Sequence, residues 1–182
     1  WQQDLRRDAT ALLADRLDVL ERGGHADGLA FAYVTAARMA VAAGDEKHAF
    51  KYLEVLAAHG EGRGIVRLVF TSLAERVRLH CAGKRPVQAS ALMSELTARV
   101  ECSAVSELLL PLVRLEIVMA QAHVAIATGD LAGAEARLVQ AGELAARLNR
   151  GYEAVQVLTL RALLAERGGQ SPDSLLTEAR SR

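Results

Sequence analysis

Ala37-Arg-Met-Ala-Val-Ala-Ala-Gly-Asp45 is the stretch that decides the fold. It returns 85 residues later as Ala122-His-Val-Ala-Ile-Ala-Thr-Gly-Asp130, with five of nine positions identical. The same offset relates positions outside the two turns: Ala49 to Ala134, Leu53 to Leu138, Leu73 to Leu158, Leu79 to Leu164 and Gly83 to Gly168. A turn that recurs together with its flanking helices is typical of helical-repeat proteins. We therefore predict an internal duplication of approximately residues 27–84 and 112–169.

The composition favours helix and points to no charged partner. Alanine and leucine dominate the 182 residues, which include only three prolines. Lysine plus arginine equals aspartate plus glutamate at 22 each, so the net charge steers the chain toward neither nucleic acid nor membrane. The apolar stretch Leu108–Thr128 is interrupted by polar residues, which favours a central bundle helix over a membrane span. No signal peptide is visible, and we expect a cytoplasmic protein.

Helical periodicity runs through almost the whole chain, and no useful length alternates with period two. Turns at Gly44, Gly83, Gly129 and Gly168 are spaced 39, 46 and 39 residues apart, close to the length of a long helical pair. We predict one all-α domain over residues 1–182, a right-handed tetratricopeptide-like solenoid of about eight to nine antiparallel helices. Because the chain begins at Trp1 without Met, we expect it to be a fragment of a larger protein.

Several local signals predict where helices begin and end. Asp45 and Asp130 follow the glycines of the repeated turn and are suited to cap the next helix. Pro86 suits the first turn of a helix, and Pro111 either starts or kinks the apolar one. The stretch His59–Gly62 contains two glycines and predicts a break after the third helix.

No constellation of residues predicts catalysis or metal binding. The two cysteines, Cys81 and Cys102, lack the paired spacing of a zinc site, and the five histidines form no helical pair with a glutamate. No serine lies in a nucleophile-elbow sequence. We therefore predict a protein that is not an enzyme and that needs no cofactor and no metal.

One part of the chain resembles a known family. The run Gly28-Leu-Ala-Phe-Ala-Tyr-Val-Thr-Ala-Ala-Arg-Met-Ala-Val-Ala-Ala-Gly-Asp45, with Ala49–Leu53 and Arg67–Arg76, is similar to the tetratricopeptide-like region of large bacterial LuxR-family transcription regulators of the MalT type. The positions that match the family pattern are Tyr33, Ala37, Arg38, Gly44, Asp45, Ala49 and Leu53. The resemblance is best over about residues 26–100.

This resemblance implies a function in transcription regulation. In the family, an ATP-binding signalling module precedes such an array, the array acts as sensor and oligomerisation arm, and a LuxR-type helix-turn-helix follows it. The chain contains neither a G-x-x-x-x-G-K-[ST] phosphate loop nor the DNA-reading helices, so DNA would be bound only through a missing C-terminal domain. The repeat pattern fits a stand-alone adaptor that holds a peptide or helix in its groove equally well.

Candidate contact residues come from the first helix of each pair, which would line the concave face of a curved array. These helices are predicted over residues 29–43, 63–82, 112–128 and 151–167. The candidates for ligand or partner binding are Tyr33, Arg38, Arg67, Arg76, Arg114, Glu116 and Gln121. Burial of Arg114 and Glu116 in their apolar helix would require partners. A basic strip over residues 63–85 could bind an anion or form a solvated surface.

The predicted partners are a protein or a small-molecule effector, with possible self-association and no membrane. Self-association is expected from the ends of the array, where apolar helix faces would lack a neighbouring repeat.

Overall fold

The computed structural model describes residues 17–103 and 105–181, and every regular element in these ranges is an α-helix. Residues 17–23 are the described part of α1. The other helices are α2 (Ala26–Ala42), α3 (Glu46–Arg63), α4 (Val66–Ala82), α5 (Pro86–Cys102), α6 (Leu110–Thr128), α7 (Leu131–Arg147), α8 (Gly151–Arg167) and α9 (Asp173–Ser181). Since no strand occurs in the described ranges, the prediction of an all-α fold is confirmed.

Six of the turns between helices fall into two series, and within each series the turns are spaced 20 residues apart. Within the described ranges the left-handed backbone conformation is taken by Gly44, Gly64 and Lys84, and again by Gly129, Asn149 and Gly169. Members of each trio are 20 residues apart, and the trios are offset by 85. In all six turns the next amide donates to the carbonyl five residues earlier, as from Asp45 N to Ala40 O at 2.8 Å. This is the long bond of the Schellman motif. A helix and its turn therefore form one repeated unit of the backbone.

The predicted helix starts agree with the structure. The Asp45 carboxylate accepts from the amide of His48 at 3.1 Å, and the Asp130 carboxylate accepts from the amide of Gly133 at 2.9 Å. Both bonds satisfy amides that the first turn of a helix leaves unpaired. The prolines expected at the starts of α5 and α6 lie in the first turn of each helix.

The predicted break at His59–Gly62 is wrong, because α3 continues through all four residues. It ends at Gly64, whose φ of 66° favours glycine. Gly60 has a different reason to be small: a Cβ there would stand 2.8 Å from Cγ2 of Val69. Close approach of α3 and α4 therefore accounts for this glycine, which the sequence of one helix cannot reveal.

Backbone contacts divide the chain into two compact units, Trp1–Arg76 and Val77–Arg182. In the first unit α2 packs against α3, and side chains of α1 to α4 share one core. Leu29, Leu56 and Leu68 are fully buried members of that core. This packing brings the polar side chains of α2 close to those of α4.

The second unit is built around α6, α7 and α8. Helix α6 packs against α5 and α7, while α8 packs against α7 and α9. Leu115, Leu138 and Val157 are buried members of the shared core. By length and composition alone α6 could cross a membrane, and 39% of its most apolar window is buried within the structure. In the described structure this helix supplies side chains to the core of its unit.

Candidate interaction face on helices α2 and α4

The 85-residue offset gives positions of the first unit counterparts in the second. Core leucines repeat, as Leu53 and its counterpart Leu138 are both fully buried. Three buried polar residues have apolar counterparts: Tyr33 corresponds to Val118, Ser72 to Val157 and Glu75 to Leu160. Apolar residues can replace buried polar pairs without loss of stability when they fill the space. The repeated scaffold therefore does not require these polar groups, and the first unit is specialised by them.

Arg38 and Glu75 form a two-pronged ion pair between α2 and α4. Arg38 Nε donates to Glu75 Oε1 at 2.8 Å, and Arg38 Nη2 donates to Glu75 Oε2 at 2.9 Å. The Glu75 side chain is only 7% exposed, while the Arg38 side chain is 30% exposed. The flat guanidinium matches a carboxylate in this geometry, which makes the pair directional as well as strong. Arg38 thus compensates a buried negative charge and presents its own charge at the surface.

A second ion pair joins the beginnings of the same two helices. Arg67 of α4 donates through Nη1 to Oδ1 of Asp27 of α2. Here the acid is the exposed partner: the Asp27 side chain is 67% exposed and that of Arg67 is 12% exposed. Since Arg38 and Glu75 lie about two to three turns further along their helices, α2 and α4 run side by side in the same direction.

An aromatic side chain lies on α2 between the two ion pairs. Phe31 follows Asp27 by one helical turn, so both lie on the same face of α2, and Phe31 is 70% exposed. We call the group Asp27, Phe31, Arg38, Arg67 and Glu75 the α2–α4 face. Arg38 and Arg67 of this group are predicted from the sequence, whereas Phe31 is not. Its spacing from the charged residues, four after Asp27 and seven before Arg38, is the signal that could have found it.

Tyr33 lies in the core and not on this face. Tyr33 is only 2% exposed, and its hydroxyl donates a hydrogen bond to Oε1 of Glu21 on α1. Its ring centre is 5.9 Å from that of His59 and 6.3 Å from that of Tyr52 on α3. Burial and the Glu21 carboxylate raise the pKa of Tyr33, and the Tyr33 hydroxyl lowers the pKa of Glu21. The prediction of a concave-face contact is therefore wrong for Tyr33, which joins α1, α2 and α3.

Arg76 and the predicted basic strip have mixed roles. Arg76 is half-buried, and its buried Nε donates no hydrogen bond within the described residues. Two other cations of the strip are engaged with the preceding helices, since Arg63 donates to the backbone carbonyl of Glu21 and Arg67 donates to Asp27. These contacts give both arginines a structural role in the first unit.

The candidates on α6 belong to the second unit. Arg114 is exposed, so the question of a buried partner does not arise for it, while Glu116 and Gln121 are half-buried. The charge of Glu116 acts on Arg150, the residue before α8. Hydrogen bonding to Glu153 raises the pKa of Arg150, burial opposes the shift, and Glu116 adds to the rise. Glu116 therefore takes part in a local charge cluster, and the structure gives Arg114 and Gln121 no role in it.

The described residues contain no group of three His, Cys, Asp or Glu side chains placed to hold a metal ion. Both cysteines are free thiols, Cys81 half-buried and Cys102 exposed. Burial raises the pKa of Cys81 to about 11, which disfavours the thiolate and hence nucleophilic reactivity near neutral pH.

No protein-family model, no curated protein and no solved structure matches this chain. The class of protein is therefore defined by the structure itself, as an all-α protein of repeated helices and Schellman turns.

Proposed function

We propose that this chain is the sensor, protein-interaction and oligomerisation segment of a LuxR-type, MalT-like bacterial transcriptional regulator. In this proposal the helices stack as a tetratricopeptide-like solenoid in the cytoplasm. The segment is non-catalytic and controls DNA binding by a C-terminal domain outside the chain. Its partner is a protein or a small-molecule effector.

The proposal rests on the position of the α2–α4 face in the sequence. The α2–α4 face falls within residues 27–75, inside the stretch of about residues 26–100 that best resembles the regulators. Its counterparts at an offset of 85 are Leu112, Glu116, His123, Tyr152 and Leu160. The two bridging ion pairs are thus confined to one copy of the repeated sequence, as expected if that copy has acquired a task beyond holding the fold together.

The ion pairs suggest how an effector would act. A carboxylate or phosphate that binds the Arg38 guanidinium would compete with Glu75 and weaken the connection between α2 and α4. Such an effector would favour a second conformation, in which the Arg38–Glu75 pair is open, only if it binds that conformation more tightly than the paired one. Each factor of ten between the two affinities shifts the equilibrium by about 1.4 kcal/mol. The relative placement of α2 and α4 is therefore the element that we propose to be switched.

The full-length gene product tests this function. We expect a phosphate-loop ATPase before the chain, a LuxR-type helix-turn-helix after it, and effector-dependent protection of a promoter. The variant Arg38→Lys should lose the effector response, because an ammonium cannot form the two-pronged pair. Arg161→Lys is the matched control, since Arg161 pairs with Glu135 in the second unit. A full-length protein without a DNA-binding domain contradicts the proposal, and one barely longer than this chain favours an adaptor.

A further inference from the structure

The exposed residues of the α2–α4 face form a straight stripe along α2. Asp27, Phe31 and Arg38 lie within about 40° of one another around the helix, and the stripe is about 16 Å long. Phe31 is the most exposed aromatic ring among the described residues. Burial of this ring by a partner would remove apolar surface from water and is therefore favourable.

The two ends of the stripe carry opposite charges. At one end the carboxylate of Asp27 is 67% exposed while its partner Arg67 is 12% exposed. At the other end Arg38 is 30% exposed while its partner Glu75 is 7% exposed. The surface of α2 therefore presents an acid, an aromatic ring and a base in that order. A complementary helix that runs in the opposite direction needs an acid opposite Arg38, an apolar residue opposite Phe31 and a base opposite Asp27. Along that helix the apolar residue follows the acid by seven positions and the base follows it by eleven.

Helix α2 meets this requirement in its own sequence, through Asp27, Val34 and Arg38. Val34 is half-buried, so it would meet a partner with its exposed part while it also packs against the core of the first unit. We propose that two copies of this chain pair through α2, with the two helices antiparallel. Asp27 would face the partner's Arg38, and Phe31 would face the partner's Val34. This inference rests on the proposed oligomerisation function and names its surface. The contact is self-complementary, as two-fold symmetry requires.

The intramolecular ion pairs strengthen this arrangement. Across each half of the interface the charges alternate: Arg67, Asp27, the partner's Arg38 and the partner's Glu75. Ion pairs that form a network contribute more than isolated exposed pairs. The counterpart positions Leu112, Glu116 and His123 on α6 do not present this pattern, so α6 offers no equivalent surface.

Sedimentation equilibrium of the 182-residue chain tests the pairing. We expect a reversible monomer–dimer equilibrium, weakened at least about tenfold by Phe31→Lys, because a central aromatic residue is typical of interface hot spots. Tyr152→Lys is the matched control, since it makes the same kind of change at an aromatic side chain of the second unit that is 60% exposed. Circular dichroism checks that both variants keep the helix content of the wild type.

Charge exchange tests the register directly. The double variants Asp27→Arg/Arg67→Asp and Arg38→Glu/Glu75→Lys each keep an intramolecular ion pair but reverse one end of the stripe. Each alone places like charges opposite each other and should be monomeric. Mixed in equal amounts they place opposite charges at both ends, so we expect a heterodimer. If the second variant does not fold, Phe31→Lys still decides the question.

A wild-type chain that stays monomeric at the highest concentration overturns the inference. So does a dimer that Phe31→Lys leaves intact, or one that Tyr152→Lys weakens equally. Failure of the proposed function is distinguishable, because a full-length protein without a helix-turn-helix would leave the α2 dimer unaffected. Conversely, a monomeric chain within a functional regulator would refute only this interface.

Discussion

Removal of Arg38 tests whether the buried charge of Glu75 depends on its partner. In the variant Arg38→Ala, the Glu75 carboxylate loses two hydrogen bonds of 2.8 and 2.9 Å while α2 and α4 still cover it. A buried charge that loses these two bonds loses most of the compensation described for it, which costs free energy. We therefore expect a loss of folding stability from a position that is itself partly exposed.

The size of this loss follows from the exposure of the two partners. Deletion of one partner of a buried ion pair costs about 3–5 kcal/mol. The Arg38 side chain is 30% exposed, so water partly screens the pair and we expect about 2–3 kcal/mol in the free energy of unfolding. The double variant Arg38→Leu/Glu75→Leu should lie within about 1 kcal/mol of the wild type, because no buried charge remains. Leucine already occupies the counterpart of Glu75, at Leu160.

Urea-induced unfolding, followed by helical circular dichroism at neutral pH, measures these differences. Arg161→Ala is the matched control in the second unit. Its ion pair with Glu135 has side chains that are 32% and 43% exposed, so its loss should cost less than about 1 kcal/mol. Equal losses for Arg38→Ala and Arg161→Ala would refute the reasoning. A double leucine variant no more stable than Arg38→Ala would refute it too.

Three further changes test particular features of the fold. Gly60→Ala should lower the free energy of unfolding by about 1–3 kcal/mol in urea titrations, because the added Cβ would stand 2.8 Å from a methyl carbon of α4. Lys84→Gly should raise the thermal midpoint, with a gain of up to about 1 kcal/mol, because Lys84 has a φ of 56°. Tyr33→Phe should be less stable than the wild type near neutral pH, and urea titrations should show the difference shrinking as the pH falls below about 4.5. The Tyr33 hydroxyl is the largest cause of the lowered pKa of Glu21, whose ordinary value is 4.5. A carboxylate with a lowered pKa stabilises the fold above its unfolded pKa and loses that contribution as the pH falls through the folded one.

Matched variants sharpen these three tests. Gly62 lies in the same helix with nothing within 4 Å of an added Cβ, so Gly62→Ala should be neutral or stabilising, and equal losses at both glycines would contradict close packing at Gly60. Lys84→Ala keeps a Cβ and should not gain stability; a gain equal to that of glycine would speak against backbone strain. A stability difference for Tyr33→Phe that stays constant into acid would show that Glu21 is not the coupled group.

Part of the candidate site could be predicted from the sequence. Arg38 and Arg67 are predicted as contact residues because they are polar residues on the first helix of a pair, and in the structure both have acidic partners on a neighbouring helix. Tyr33 was placed on the wrong surface, because its spacing does not show that α1 supplies a carboxylate for its hydroxyl. Phe31 was missed, since an apolar residue in a helix is expected in the core unless its direction is known.

Local chemistry determined the helices and their turns. Helical periodicity and the capping aspartates act within a few residues along the chain, so the all-α fold and the repeated Gly-Asp turn follow from the sequence by itself. Tertiary structure alone decided that α3 passes through Gly60, that Glu75 is buried beneath Arg38, and that Phe31 faces outward. These features depend on contacts between helices, and the residues in contact are separated by 9 to 40 positions in the sequence. That pairing is set by how whole helix surfaces fit together, which no local pattern encodes.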